Sequence, residues 1–212
     1  MHDRSNDDDD PIVLVIDDDP DVREGLKALL ESVNLRSRAF RCVPEFFEYK
    51  LPDKVSCLIV DVRLPGLSGL EFQTELAKAQ IDTPIIFITG YGDIPMSVRA
   101  IRAGAVEFLT KPFRDQEILD AVRIALDLNR QRREDDRRTR DLRIRFGGLS
   151  PREREVMALV TTGLMNKQTA AEIGIAEGTV KVHRHNIMKK LAAKSFPDLV
   201  RMADIVGLPH KD

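Results

Sequence analysis

The sequence feature that most constrains the fold is a repeated alternation between short apolar runs and segments with helical periodicity. Residues 12–16 and 57–60 are uninterrupted apolar runs, which are typical of strands buried on both faces of a parallel sheet. The predicted strands are residues 12–16, 36–40, 57–61, 84–89 and 106–110. A helix is predicted after each strand, beginning near positions 20, 44, 70, 94 and 115. This alternation predicts an α/β fold, with a doubly wound parallel sheet covered by helices on both faces.

Acidic residues stand at the ends of two of these strands. Asp17 and Asp18 follow the first strand, and Asp61 ends the third. In the flavodoxin-like strand order 2-1-3-4-5 the first and third strands are neighbours, and ligands bind where the order reverses. The three carboxylates are therefore predicted to share one crevice. Such a group needs a compensating cation, and we expect Mg²⁺ because it accepts few carboxylates and retains water.

Two further polar residues are predicted at the same crevice. Thr89 ends the fourth strand, and Lys111 follows the fifth. A lysine, a hydroxyl and a metal ion around one carboxylate favour a phosphoryl-group site, in which Asp61 is the nucleophile and forms an aspartyl phosphate. Taken singly, each residue has an ordinary alternative: Asp61 as a capping or turn residue, Thr89 as a turn residue and Lys111 as a solvated lysine. Their joint occurrence at strand ends favours the phosphoryl-group site.

Residues 11–128 resemble the receiver domain of two-component response regulators. The segment ITGYGDIPMSVRAIRAGAVEFLTKPF, residues 88–113, is similar to the FixJ branch of that family. The resemblance implies that a sensor histidine kinase donates a phosphoryl group to Asp61. It also implies a magnesium site formed by Asp18, Asp61, the backbone carbonyl of Arg63 and, through water, Asp17.

The same resemblance assigns roles to two more positions. It implies a cis peptide bond between Lys111 and Pro112, which only an X-Pro bond adopts cheaply. Phe108 occupies the position of a rotating aromatic switch, which moves inward when Thr89 is drawn to the phosphoryl group. An ordinary core phenylalanine is the alternative for Phe108. Leu67 replaces a methionine that is common in the family, a departure that leaves the chemistry intact.

The net charge of −2 conceals two halves of opposite sign. Residues 1–128 contain 15 Lys and Arg against 24 Asp and Glu, whereas residues 129–212 contain 18 against 11. Two domains with different partners are therefore predicted, the basic one suited to a polyanion such as DNA. Residues 1–10 are predicted to be a disordered acidic tail. Residues 129–146 are predicted to be a charged linker that continues the fifth helix, with a disordered tether as the alternative.

Residues 147–212 predict a small all-α domain. Ser150 and Glu153 have the spacing of a capping box at a helix start. A short helix at 166–173 is followed by a glycine turn, and helices are then predicted at 177–191 and 196–206. Short helices joined by a tight glycine turn are the organisation of a helix-turn-helix domain.

The helix predicted at 177–191 has two faces of different character. Val180, Ile187 and Leu191 recur at helical spacing and form an apolar face. The opposite face carries Lys181, Val182, His185 and Lys189. Cationic, small and hydrogen-bonding groups on one side of a short helix suit the major groove of DNA. A solvated charged face is the alternative.

Different DNA contacts are expected from this part of the chain. Lys181 and His185 are expected at base edges, and Val182 at a thymine methyl group. Lys189 on the same helix and Lys167 on the preceding one are expected at phosphates.

Residues 149–156, Asn166 with Lys167, and residues 179–191 resemble the LuxR/NarL-type DNA-binding domain. The likeness spans residues 147–208 and places Thr179 among the DNA-binding positions. Thr169 stands where isoleucine is common, which is a departure in packing rather than in DNA contact. Because one such domain is small, two copies on a two-fold site are expected.

The combined interpretation is a transcriptional response regulator of the NarL/FixJ family. Phosphorylation of Asp61 by a sensor histidine kinase is expected to cause dimerisation and binding to promoter DNA, with RNA polymerase as a possible further partner. One alternative is a phosphorylation-independent DNA-binding regulator that uses its receiver as a dimerisation module. An aspartate-nucleophile phosphohydrolase is disfavoured, because Arg63 stands where a second acid would be needed. No enzymatic activity beyond self-phosphorylation and self-dephosphorylation is expected.

The location expected for the chain follows from features that the sequence lacks. It contains no run of 18 apolar residues and no secretory signal after Met1. Cys42 and Cys57 lie in apolar surroundings without metal-ligand spacing, so they are expected to be buried thiols. A cytoplasmic protein without a membrane segment is therefore expected. The kinase, the stimulus, the promoter and the sign of regulation are left open by the sequence.

Overall fold

The computed structural model describes residues 10–90 and 94–208. It divides the chain into two compact units, Met1–Arg133 and Glu134–Asp212. The predicted acidic tail therefore lies almost wholly outside the described residues. The sequence also predicts Asp93 as the N-cap of the fourth helix, and this residue lies outside the described residues as well.

A five-stranded parallel sheet forms the centre of the first unit. Its strands are β1 (Ile12–Ile16), β2 (Arg36–Phe40), β3 (Ser56–Asp61), β4 (Ile85–Thr89) and β5 (Glu107–Thr110). Their order in the sheet is β2-β1-β3-β4-β5, and all four neighbouring pairs are parallel. The α/β fold class and the strand order 2-1-3-4-5 are thereby confirmed.

Five helices cover the two faces of this sheet. They are α1 (Pro20–Ser32), α2 (Val43–Glu48), α3 (Gly69–Lys78), α4 (Ile94–Arg102) and α5 (Asp115–Gly147). Alternate strand residues point to opposite faces, so Leu58 packs with α2, α3 and α4, whereas Ile59 packs with α1 and α5. The interior strands are buried on both faces, which explains why they have no polar alternation in the sequence.

The strand register brings the polar strand ends to one edge of the sheet. Ile16 pairs with Val60 in the register of β1 and β3, and Asp61 pairs with Ile88. Thr89 and Thr110 are partners at the ends of β4 and β5. The residues that follow these strands therefore meet at a single edge.

Helix α4 has an exposed apolar stripe. The helical spacing of Ile94, Val98 and Ile101 predicts the helix, and 79%, 42% and 45% of their surfaces are exposed. The fully buried residue of α4 is Ala100. Helical spacing identifies an apolar stripe without showing what covers it. Gly104 follows α4 with φ of +95°, which agrees with the helix end that its position in the sequence predicts.

The second unit contains a helical core. Its helices are α6 (Pro151–Val160), α7 (Asn166–Ile173), α8 (Glu177–Leu191) and α9 (Phe196–Ile205). The predicted capping box is present, since Ser150 Oγ accepts from the Glu153 N–H and Glu153 Oε2 accepts from the Ser150 N–H. Gly174 adopts the left-handed conformation between α7 and α8, which gives the tight turn of a helix-turn-helix.

Helix α5 continues through the segment predicted to be a linker. It is a single helix of 33 residues, so the disordered-tether alternative is wrong. The Oδ1 atom of the nearly buried Asn129 accepts from the Ser56 N–H at 3.0 Å. Arg132 forms an ion pair with Asp82, and Arg133 forms one with Asp53. Within the described residues, no helix has the length and apolar character needed to cross a membrane.

Candidate functional site

Three carboxylates converge at the edge of the sheet. Asp17 follows β1 directly, Asp18 is its neighbour, and Asp61 is the last residue of β3. One oxygen of each lies within 4.8 Å of the others. Asp17 and Asp61 are buried, whereas Asp18 is exposed, so the cluster opens to solvent on the side of Asp18.

Lys111 joins the two buried carboxylates. Its Nζ atom donates to Asp17 Oδ2 at 2.7 Å and to Asp61 Oδ2 at 2.6 Å. Lys111 is positioned by its own N–H, which donates to the carbonyl of Thr89 at 2.7 Å, and the peptide bond between Lys111 and Pro112 is cis. The predicted cis peptide is therefore found. Burial alone would lower the pKa of the Lys111 ammonium group, but the hydrogen bonds to Asp17 and Asp61 outweigh it and raise the pKa.

The remaining oxygens of the two buried carboxylates accept backbone hydrogen bonds. Asp17 Oδ1 accepts from the Asp19 N–H at 2.9 Å, and Asp61 Oδ1 accepts from the Arg63 N–H at 2.8 Å. Burial raises the pKa of the Asp17 carboxyl group, and the hydrogen bond from Lys111 offsets only part of that effect. A second cation would stabilise the ionised form further.

The donor set fits a hard divalent cation. Lys111 pairs with Asp17 and Asp61, and a divalent cation would add positive charge beside all three carboxylates. Oxygen ligands with an open, solvent-facing side suit Mg²⁺, which keeps several waters. Receiver domains in general bind Mg²⁺ at such an acidic pocket. Arg63 lies two residues after Asp61 in the chain, and the role of its carbonyl as a ligand stays a prediction.

Thr89 and Phe108 lie where the sequence placed them. Thr89 is fully buried at the end of β4. Phe108 is partly buried in β5, and its ring centroid lies 6.5 Å from that of Phe87 on the face covered by α2, α3 and α4. This packing is compatible with the predicted switch and with an ordinary core position.

Two residues at this edge were not identified from the sequence. A Cβ atom on Gly69, the first residue of α3, would lie 2.7 Å from the Asp61 carbonyl oxygen and 3.0 Å from the Phe87 ring. Glycine therefore lets α3 begin against the strand that carries Asp61. Arg23 donates from Nη1 to the Asp17 carbonyl at 2.7 Å and ties α1 to the site. The only sequence signal was the Ser68-Gly69 pair at a helix start.

A second polar surface lies on α8. Val180, Ile187 and Leu191 are fully buried, as predicted for the apolar face. The opposite face is exposed along its length: Lys181, Val182, His185 and Lys189. Thr179 and Lys167 are exposed as well. Lys181 forms an exposed ion pair with Glu177 one helical turn away, which is a weak interaction.

Arg184 links three helices of the second unit. Its Nη1 atom donates to Asn166 Oδ1 at 2.8 Å, and its guanidinium carbon lies 5.0 Å from the ring centroid of Phe196. These contacts join α8 to the first residues of α7 and α9. Helical spacing places Arg184 at the margin of the apolar face of α8 and predicts neither contact.

Two families match the two units of the chain. Residues 13–123 match the family described as the response regulator receiver domain. Residues 148–203 match the bacterial regulatory proteins of the luxR family.

Full-length relatives match both parts together. Nodulation protein W of Bradyrhizobium diazoefficiens is 56% identical over 197 residues, which cover 93% of this chain and 87% of that protein. Response regulator protein TodT of Pseudomonas putida is 46% identical over 193 residues, 91% of this chain and 85% of that protein. The solved structure of response regulator StyR is 49% identical, with a TM-score of 0.79, and the match covers 92% of this chain and 98% of StyR. Full-length FixJ from B. japonicum is 36% identical, with a TM-score of 0.53, and the match covers 93% of this chain and 98% of FixJ.

The chain belongs to the two-component response regulators that join a receiver domain to a LuxR-type DNA-binding domain. It is a transcriptional regulator of the FixJ-like branch, as the motifs at residues 88–113 indicated. A receiver domain implies a sensor kinase as partner, and a LuxR-type domain implies binding to DNA.

Proposed function

We propose that a sensor histidine kinase phosphorylates Asp61 and that the phosphorylated chain dimerises and binds promoter DNA. One observation carries the proposal: Lys111 Nζ lies within hydrogen-bond distance of both Asp17 and Asp61 at the carboxyl edge of the sheet. A structural ion pair would need one carboxylate. Two carboxylates on one lysine, with a third beside them, provide the charges that a phosphoryl group and a cation require.

The transfer uses groups that this edge already holds. A carboxylate oxygen of Asp61 attacks the phosphorus of the kinase phosphohistidine, the P–N bond breaks, and a P–O bond to Asp61 forms. The ammonium group of Lys111 neutralises an oxygen of the phosphoryl group, and the Thr89 hydroxyl donates a hydrogen bond to another. Mg²⁺ held by Asp17, Asp18, Asp61 and the Arg63 carbonyl supplies further positive charge when bound. Breaking the same P–O bond with water resets the chain.

The exposed face of α4 supports dimerisation. Ile94, Val98 and Ile101 lie at i, i+4 and i+7 and leave an apolar stripe on the surface. Such a stripe on a highly charged chain suits contact with a second copy. Movement of Thr89 toward the phosphoryl group and of Phe108 inward alters β5 and α4, which are neighbours in the fold.

Promoter binding uses the exposed face of α8. Lys181 and His185 meet base edges and Val182 meets a thymine methyl group, while Lys189, Lys167 and the backbone near Thr179 hold phosphates. Two copies present two such helices to a two-fold site. The complex acts in the cytoplasm, where RNA polymerase is a further partner.

The exposed α4 stripe also favours a second candidate, in which the receiver dimerises without phosphorylation. The two are separated by treating the chain with acetyl phosphate and Mg²⁺ and measuring intact mass and gel-filtration volume. We expect a gain of one phosphoryl group and elution as a dimer, both absent in Asp61→Asn. The matched control is Asp120→Asn, which removes an exposed acid of α5 and leaves both responses intact. Dimerisation of untreated wild type, or of treated Asp61→Asn, would favour the second candidate.

A further inference from the structure

Two adjacent lysines at the end of α8 lie in different surroundings. Lys189 is exposed, and no ion pair of its ammonium group is found among residues 10–90 and 94–208. The Nζ atom of Lys190 lies 2.6 Å from Glu153 Oε2. The sequence predicts a phosphate contact for Lys189 and none for Lys190. Both side chains are exposed, but the Lys190 ammonium group is engaged by Glu153, whereas that of Lys189 stays available for such a contact.

Glu153, the partner of Lys190, is buried despite its charge. Only 3% of its surface is exposed. Its Oε2 atom accepts from both the Ser150 N–H at 2.7 Å and the Lys190 ammonium group. Burial alone would raise the pKa of the Glu153 carboxyl group, but the bond from Lys190 and those from Ser150 hold it below its ordinary value. The carboxylate is therefore ionised at neutral pH and needs its cation.

A second capping box in the chain shows that this arrangement is not a general property of the motif. Ser68 and Glu71 at the start of α3 have the same spacing and the same reciprocal bonds as Ser150 and Glu153. Glu71 is exposed, however, and within residues 10–90 and 94–208 its hydrogen bonds are to Ser68. Of these two capping boxes, the one at Glu153 is therefore the one that connects to a distant helix.

The ion pair supplies a directional contact that the apolar face of α8 lacks. Val180, Ile187 and Leu191 hold α8 against the core, but apolar contacts are non-directional and tolerate small rotations of a helix about its axis. Arg184 gives one directional contact near the middle of α8, through its hydrogen bond to Asn166, and Lys190 gives a second at the end of the helix. A short charge-assisted bond fixes one point on the helix. A recognition surface needs its side chains held to within about 0.5 Å and 10–20°.

We propose that the Glu153–Lys190 ion pair sets the rotational position of α8, so that Lys190 is a positioning residue for DNA recognition and not a phosphate contact. The inference rests on the proposed reading of DNA by the exposed face of α8. It predicts that Lys190 contributes to sequence discrimination, whereas Lys189 contributes to sequence-independent affinity.

The test compares Lys190→Met with Lys189→Met in the full-length chain after acetyl phosphate treatment. Fluorescence anisotropy is measured with a duplex that the wild type selects from a random-sequence pool and with a scrambled duplex, over a range of salt. For Lys190→Met, affinity for the selected duplex falls about tenfold, the loss of roughly one base contact. Its affinity for the scrambled duplex and its salt slope do not change.

For Lys189→Met, both affinities fall together, and the slope of log K against log salt decreases by about 0.9. Lys190→Arg restores discrimination, because arginine can pair with the same carboxylate.

Loss of Lys190 leaves Glu153 buried without its cation, so a folding defect must be separated from a positioning defect. The Glu153→Gln/Lys190→Met double variant removes both charges. We expect it to unfold at a temperature nearer to that of the wild type and still to discriminate about tenfold less well.

Three results overturn the proposal. The first is a salt slope that decreases in Lys190→Met as it does in Lys189→Met. The second is full discrimination in the double variant. The third is a wild type that selects no sequence from the pool, which would overturn both the proposed DNA recognition and this inference. The first two results would leave the proposed function intact.

Discussion

The two functional surfaces of the chain are built in opposite ways. The receiver edge gathers Asp17, Asp61, Thr89 and Lys111 from the ends of four strands and buries most of them. The α8 surface takes nearly all its groups from one helix and leaves them exposed. Changes at the receiver edge should therefore disturb several groups at once. Changes on α8 should remove one contact each.

The largest effect is expected at Lys111, on the receiver edge. Lys111→Gln removes the ammonium group that faces both buried carboxylates, so we expect phosphorylation of Asp61 by acetyl phosphate to slow about 100-fold. Lys78→Gln is the control, because Lys78 forms an exposed pair with Glu75 and its loss should leave the rate unchanged. Phosphorylation is followed by intact mass. An unchanged rate in Lys111→Gln would show that Lys111 takes no part in the phosphorylation of Asp61.

Gly69 tests how tightly the receiver edge is packed. Gly69→Ala places a Cβ atom 2.7 Å from the Asp61 carbonyl, so we expect a loss of about 1–3 kcal/mol in the free energy of unfolding. Gly25→Ala is the matched control, since Gly25 lies within α1 and a Cβ there meets nothing within 4 Å. That control should gain about 0.5–1 kcal/mol from helix propensity. Urea denaturation measures the free energy of unfolding of both variants. Equal changes in Gly69→Ala and Gly25→Ala would contradict the close approach of Gly69 to the Asp61 carbonyl.

Thr169 tests whether the buried polar groups of the second unit are hydrogen-bonded as completely as those of the receiver edge. Thr169 is fully buried, and its hydroxyl has no hydrogen-bond partner among the described residues. We expect Thr169→Val to raise the free energy of unfolding by about 1 kcal/mol. The matched change Thr161→Val should be destabilising, because the buried Thr161 hydroxyl donates to the Met157 carbonyl at 2.8 Å. A loss of stability in Thr169→Val would show that its hydroxyl is bonded in solution.

Glu153 gives the smallest expected effect, and it depends on pH. The pKa of its carboxyl group is lowered in the folded chain, so its ionised form contributes stability above the pKa of the unfolded chain. That contribution is lost as the pH falls through the lowered pKa of the folded chain. The difference in melting temperature between wild type and Glu153→Gln should therefore shrink as the pH is lowered from 7 toward the acid range. A difference in melting temperature that grows as the pH falls would show that the pKa of the Glu153 carboxyl group is not lowered in the folded chain.

The sequence predicted most of the receiver site because its residues adjoin the strands. Asp17, Asp61, Thr89 and Lys111 each follow or end an apolar run, and a parallel sheet brings such ends together whatever the loops do. It also predicted the exposed face of α8, since one helix carries both its apolar and its polar stripe.

What the sequence did not predict are contacts between distant positions. Asn129 bonds the Ser56 backbone, Lys190 reaches Glu153, and Gly69 lies against Asp61. Each depends on how separate elements pack, which a periodic pattern does not encode. The exposure of the α4 stripe was not predicted for a related reason. Helical spacing separates an apolar side from a polar side, but it leaves open whether the sheet or another surface covers the apolar side.

The most direct test of the account is the affinity of the full-length chain for its selected duplex with and without acetyl phosphate and Mg²⁺. We predict at least about tenfold tighter binding on treatment for the wild type, a coupling of the size usual between two sites. Asp61→Asn should show no change on treatment and should bind as the untreated wild type does. An equal response of wild type and Asp61→Asn to the phosphodonor would contradict the central claim that Asp61 connects the signal to DNA.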